Sequence, residues 1–161
     1  MRELKGFHEE DSFKNGVFMV ELVNDDIYEW DVKIFKIDTG STLYPEFVQW
    51  KEKTGKDHIL LHISYGDNYP FSPPFVRLVY PKLTHGIAGW GGGLLCLELL
   101  KARSWSSAYT IEPLVLQVQA TISGTGLIRG TENEQFTYQT AKAAVDEYFP
   151  EETDWRSRSD K

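Results

Sequence analysis

The sequence predicts an α+β fold: a four-stranded antiparallel sheet followed by helices. Three observations carry this expectation. Segments 17–23, 27–37, 59–65 and 75–80 are β-branched and apolar or alternate apolar with polar residues, as half-buried strands do. The clearest helical periods, 111–122 and 132–148, come after the last of these strands. Strands gathered before helices make neighbours in a meander rather than the alternating units of a parallel sheet.

In chain order, residues 2–10 place Leu4 and Phe7 three apart, which predicts a short amphipathic helix ending before Asn15-Gly16. Strand 17–23 meets the polar turn Asn24-Asp25-Asp26 and returns as 27–37 through Tyr28, Trp30, Val32, Ile34 and Ile37, so the two form a hairpin. Ser41 is placed to cap a small helix over 41–53, with Leu43, Phe47 and Trp50 on one face and Gly55 ending it, lying on the sheet edge. Ile59, Leu61, Ile63 and Tyr65 alternate in the third strand, and 75–80 forms the fourth. Residues 81–107 lack a regular period and are glycine-rich over 89–93; loops of this length in compact domains tend to be functional.

Helix 111–122 carries Ile111, Leu114, Val115, Val118 and Ile122 at helical spacing, with Thr110 placed to cap and Pro113 in the tolerated first turn. The last helix, 132–148, is expected to face Phe136, Ala143, Ala144 and Tyr148 inward and to end at Pro150. Repeats and linkers are absent, so 1–161 reads as one domain, its core about 1–150 and its tail frayed after Asp154. One sheet face against the central helix is the expected core.

A formal charge of -7 and a pI of about 5.1 disfavour binding to phosphate backbones, so no nucleic-acid partner is expected. Nor is a membrane partner, because no apolar stretch approaches the ~20 residues a span needs. The expected location is cytoplasm or nucleus. A single cysteine excludes an internal disulfide and a thiol-rich zinc site, leaving Cys96 as either inert packing or a reagent.

The run Tyr69-Pro70-Phe71-Ser72-Pro73-Pro74 holds three prolines in five positions, a preset bend that cannot join a central strand. It is followed by an apolar strand, then Cys96-Leu97-Glu98-Leu99-Leu100, then Trp105-Ser106-Ser107-Ala108-Tyr109-Thr110-Ile111. In this combination the chain resembles the ubiquitin-conjugating enzymes from about Val17 to Ile122. It is most similar to their divergent Q-type branch, in which the tryptophan lies nine residues after the cysteine and is followed by Ser-Ser-Ala-Tyr.

The resemblance implies the ubiquitin-conjugating fold and a thioester carrier. Cys96 would accept ubiquitin, or a ubiquitin-like modifier, from an activating enzyme and release it to an acceptor amine with a ubiquitin ligase. No metal or organic cofactor is implied, and the chain is expected to act as a monomer. Phe71, Ser107 and Ala108 match the positions that family members present to ligases; at Ser107 the family's usual residue is proline. Trp105 is expected to anchor the active loop to the core.

The chain departs from the family's His-Pro-Asn triplet, whose asparagine steadies the oxyanion; residues 83–93 contain neither proline nor asparagine. His85 could polarise the reacting carbonyl instead, or Gly91, Gly92 and Gly93 could aim backbone amides at it, or the glycines could simply form a pliable loop. Glu98 would disfavour a thiolate if it approached Cys96. Two other readings stand beside the carrier. One is an inactive relative that serves as a scaffold for ubiquitin or a ligase; the other is a small hydrolase pairing Cys96 with His58, His62 or His85.

Overall fold

The computed structural model describes residues 11–84, 91–128 and 134–149. The helix predicted over 2–10 and the tail after Asp154 lie outside them; the described part opens with the short helix α1, Asp11–Lys14. Strands β1 (Phe18–Val23), β2 (Asp26–Ile34), β3 (Ile59–Ser64) and β4 (Phe75–Tyr80) pair antiparallel in sequence order. Asn24 and Asp25 adopt φ of 52° and 59°, so both central residues of the β1–β2 turn are left-handed, the geometry whose twist matches a hairpin. Asn and Asp tolerate that conformation better than other side chains, which explains a tight turn without glycine.

Helix α2 (Leu43–Thr54) ends at Gly55, whose φ of 72° lets its N–H return to the Lys51 carbonyl. Thr42, rather than Ser41, precedes its first turn. Leu43, Phe47 and Trp50 of this helix enter the core, Trp50 reaches Tyr80 at the end of the edge strand β4, and Glu46 accepts a hydrogen bond from the Ile128 N–H at 2.6 Å.

Helix α3 (Ile111–Thr125) runs three residues past the predicted end. Thr110 sits at its N-cap in extended conformation, but its side chain makes no capping bond. Residues Leu83–Thr84 (β5) and Leu127–Ile128 (β6) form a second, two-stranded ladder that the sequence does not announce, since two residues carry no period. The last helix, α4 (Tyr138–Tyr148), is shorter than predicted because Thr137 and Thr140 close a capping box at its start. Ahead of it the chain lies on the outer edge of β4, where the Phe136 N–H bonds the Val79 carbonyl. Among the described residues no helix is long and apolar enough to cross a membrane.

The main core is the expected one. Trp30, Val32, Ile34, Ile59, Leu61, Ile63, Val76 and Leu78 on one sheet face meet Ile111, Leu114, Val115, Val118 and Ile122 of α3. A second, smaller cluster joins Phe75 and Leu94 to Ala141, Ala144 and Val145 of α4. Ala143 and Tyr148, expected inward, are exposed, because the true start of α4 rotates Ala141, Ala144 and Val145 onto the sheet and Phe149 packs beside them.

On the opposite sheet face His62 stands between two carboxylates: Nδ1 is 2.8 Å from Asp31 and Nε2 is 2.8 Å from Glu29, which also accepts from Ser64 at 2.6 Å. Carboxylates only accept, and a neutral imidazole donates once, so this arrangement calls for the imidazolium. Burial by itself lowers the His62 pKa and Arg77 lowers it too, but the hydrogen bonds to Asp31 and Glu29 leave it above the ordinary histidine value. A raised folded pKa stabilises fully below the unfolded value and loses that contribution as pH rises through the folded one. We therefore expect His62→Gln to lose about 1–3 kcal/mol near pH 6 and progressively less toward pH 9. Melting curves across that range check this; parallel curves for variant and parent would refute the charged clamp.

Candidate active site

Cys96 lies between β4 and α3 on a segment that three contacts pin down. Gly91, Gly92 and Gly93 all have positive φ, 89°, 65° and 85°. The Leu78 N–H bonds the Gly93 carbonyl at 2.7 Å, and Arg77 forms an isolated bridge with Leu94, so the segment seals the free edge of β4. The Thr140 hydroxyl donates to the Gly92 carbonyl at 2.9 Å, fastening the same segment to the first turn of α4. A Cβ on Gly92 would lie 2.1 Å from the Thr140 carbonyl oxygen, and one on Gly93 would lie 2.5 Å from the Leu78 oxygen. Close backbone approach on both sides requires these two glycines.

Beyond this anchor Leu95 and Leu97 turn into the core, while Cys96 stays half-buried. It faces a shallow cleft, open to solvent, walled by Pro74, Phe75, Val76, Leu100, Val145 and Phe149. Burial pushes the thiol up to about 11, with Lys101, also in the cleft, pulling the other way. At neutral pH the sulfur is therefore mostly a thiol. A short 3-10 turn, Glu98–Leu100, follows the cysteine.

Glu98 does not act on the thiol as its position in the sequence suggests. Its carboxylate accepts from Lys101 Nζ at 2.7 Å, from Arg103 Nη2 at 2.7 Å and Nε at 3.0 Å, and from Ser104 Oγ at 3.2 Å. Lys101 first, then Arg103, holds it down at about 2.

The proline loop lies beside this turn. Asn68 organises it, its carbonyl accepting from the Phe71 and Ser72 amides and its side chain donating to Ser72 Oγ at 2.8 Å. Pro73 and Pro74 are buried, whereas Phe71 is 77% exposed. Trp105 Nε1 donates to the Pro70 carbonyl at 2.8 Å, and its ring lies between Tyr69 and Tyr109, with centroids at 6.3 and 5.6 Å. Trp105 thus fastens the loop carrying Phe71 to the one carrying Ser107 and Ala108, both exposed. It is a half-buried clasp between loops rather than a core residue.

Of the histidines, His58 is engaged by Asp57 at 2.7 Å and by the Tyr80 hydroxyl at 2.7 Å, and His62 by the carboxylates of the outer sheet face. Neither lines the Cys96 cleft. His85 lies outside the described residues. Among the described residues no group of three or more His, Cys, Asp or Glu side chains could hold a metal ion. Lys101 joins the site through the 3-10 turn after the cysteine, whereas Val145 and Phe149 carry no local signal: α4 is brought to the cysteine by Thr140 and Gly92, a contact between distant stretches of chain.

The sequence profile described as "Ubiquitin-conjugating enzyme" matches residues 1–148. The chain belongs to that family. Within it the relatives are of the Q type. Human "Ubiquitin-conjugating enzyme E2 Q1" is 47% identical over 136 residues, covering 84% of this chain and 31% of that protein, so the chain spans under a third of that relative's length. A Q-like ubiquitin-conjugating enzyme protein of mouse is 39% identical over 128 residues, covering 77% of this chain and 76% of that protein. Among solved structures, the Plasmodium vivax ubiquitin conjugating enzyme E2 superposes with a TM-score of 0.52 at 26% identity, covering 76% of this chain and 100% of that one. The helices around a four-stranded antiparallel sheet are the ubiquitin-conjugating fold.

Proposed function

We propose that Cys96 carries ubiquitin, or a ubiquitin-like modifier, as a thioester between an activating enzyme and an acceptor. The observation that carries this reading is the placement of the chain's single thiol: half-exposed, in an open cleft, on a segment anchored at β4 and α4. In the first step the sulfur attacks the acyl carbon of the activating enzyme's thioester. A new S–C bond forms, the old one breaks, and the departing thiolate takes the proton. In the second step an acceptor amine attacks the same carbon, giving an amide and restoring the thiol. Exchange between thioesters is nearly isoenergetic, so alignment matters more than a strong nucleophile, and a largely protonated thiol is compatible with it.

The oxyanion of each step needs donors where the family triplet is missing. The backbone amides of Gly92 and Gly93 are the candidates in the described part of the chain, supported by the fastening of their segment to Thr140 and Leu78. His85 keeps its place as the second candidate. The scaffold reading draws on one observation, the raised thiol pKa.

The test is charging with a panel of modifiers and their matched activating enzymes and ATP. One reducing-agent-sensitive adduct, mapped to Cys96 by mass spectrometry, is the expected result. Failure with every modifier leaves the scaffold reading.

Phe71, Ser107 and Ala108 form the surface we assign to a ubiquitin ligase, with Phe71 as its anchor. Phe71→Ala should leave stability within about 0.5 kcal/mol and slow ligase-stimulated discharge at least about tenfold. Trp105→Ala should instead destabilise by about 2–3 kcal/mol as well, since it releases the clasp. Thermal melts and discharge assays on the two variants separate contact from packing; a Phe71→Ala protein that discharges normally removes this assignment.

A further inference from the structure

The turn after Cys96 holds more charge than its length suggests, and its two cations are unequally placed. Arg103 is 70% exposed, so water screens it from the sulfur. Lys101 is 26% exposed and lines the cleft that Cys96 faces. Among the described lining residues Lys101 is the only titratable group besides the cysteine. Strand β4 contributes Phe75 and Val76, α4 contributes Val145, and Phe149 follows at its C-cap, none of them charged. A lysine in that position would ordinarily favour a thiolate. Here its ammonium is 2.7 Å from a Glu98 oxygen, and Arg103 and Ser104 fix the other oxygen of the same carboxylate. That second grip orients Glu98, so its pairing with Lys101 is built into the turn.

We propose that Glu98 is a positioning residue that restrains Cys96: by holding the Lys101 ammonium in an ion pair, it denies the neighbouring thiol the cleft-lining cation that would favour its thiolate. The consequence is a nucleophile reserved for a docked thioester and slow toward free electrophiles. Burial raises the thiol, and Lys101 is the charge that opposes it. The inference rests on the reading of Cys96 as the acyl carrier.

The experiment is alkylation of Cys96 by iodoacetamide from about pH 7 to about pH 10. The sulfur attacks the methylene carbon, iodide leaves, and the thiol proton goes to solvent. Glu98→Gln keeps a carbonyl oxygen for Arg103 and Ser104 but cannot neutralise Lys101. Its rate profile should move to lower pH, with alkylation about three- to tenfold faster near pH 8. Lys101→Met should be slower than the parent, and the double variant should follow Lys101→Met. A Glu98→Gln profile that superimposes on the parent's, or a Lys101→Met protein that reacts faster, overturns the proposal. Charging of the unmodified protein is read in parallel. Failure of charging sinks the carrier reading and leaves the alkylation result intact, whereas normal charging with an unmoved profile sinks the role of Glu98 alone.

Discussion

Cys96→Ala is expected to abolish the reducible ubiquitin adduct outright while the protein stays folded. The chain has no second thiol to substitute for it, and an amine or hydroxyl accepting the acyl group would give an amide or ester that survives reduction. The structural cost is small, because the thiol is only half-buried beside the Phe75, Leu94 and α4 cluster. Removing one sulfur from such a site costs about 1 kcal/mol. A non-reducing gel beside a thermal melt reads both quantities. A persistent reducible band in the variant would mean that the adduct does not involve this chain's sulfur, and a collapsed melt would make its absence uninformative about chemistry. In that event Cys96→Ser, which keeps the volume and yields an ester stable to reductant, decides.

The second large effect belongs to Gly92→Ala, expected to destabilise by about 3 kcal/mol or more and to lower the melting temperature by about 6–12 °C. Two penalties add. A left-handed φ of 65° disfavours any Cβ by about 1–2 kcal/mol. The new methyl would also sit 2.1 Å from the Thr140 carbonyl oxygen, a backbone atom held in the α4 capping turn that cannot swing aside. Gly91→Ala is the internal control: its φ of 89° carries the first penalty, but nothing lies within 4 Å of its Cβ position. The difference between the two melts isolates the close approach, and equal losses would mean that the α4 turn yields freely. Because the same contact presents Cys96, the Gly92 variant should also charge more slowly than the Gly91 one at a temperature where both are folded.

The contrast between these glycines illustrates where sequence reading stops. Period-2 alternation locates β2 and β3, and apolar, β-branched runs locate β1 and β4, each to within a few residues, since both patterns report on which faces of a strand are buried. The central helix is equally legible from Ile111, Leu114, Val115, Val118 and Ile122. The last helix starts later than its pattern suggests, because residues 134–136 are apolar and polar in a helix-compatible mixture yet are drawn to the β4 edge by the Phe136–Val79 hydrogen bond. The β5–β6 ladder is invisible for a related reason: its two-residue strands exist through pairing, not through periodicity. At the site, the cysteine and its Q-type surroundings stand out in the text. The engagement of Glu98, the clasp of Trp105 on Pro70 and the α4 wall of the cleft do not.

What the sequence determined by itself is the inventory: a sheet-forming first half, an amphipathic central helix, and one thiol between a proline bend and a tryptophan in an order shared with a family. Tertiary structure alone decided the state of that thiol. Its protonation depends on how far Phe75, Val145 and Phe149 exclude water. These are distances between groups that the chain brings together only by folding. Burial and Coulomb energies follow separation in space, and residue spacing along the chain does not encode it.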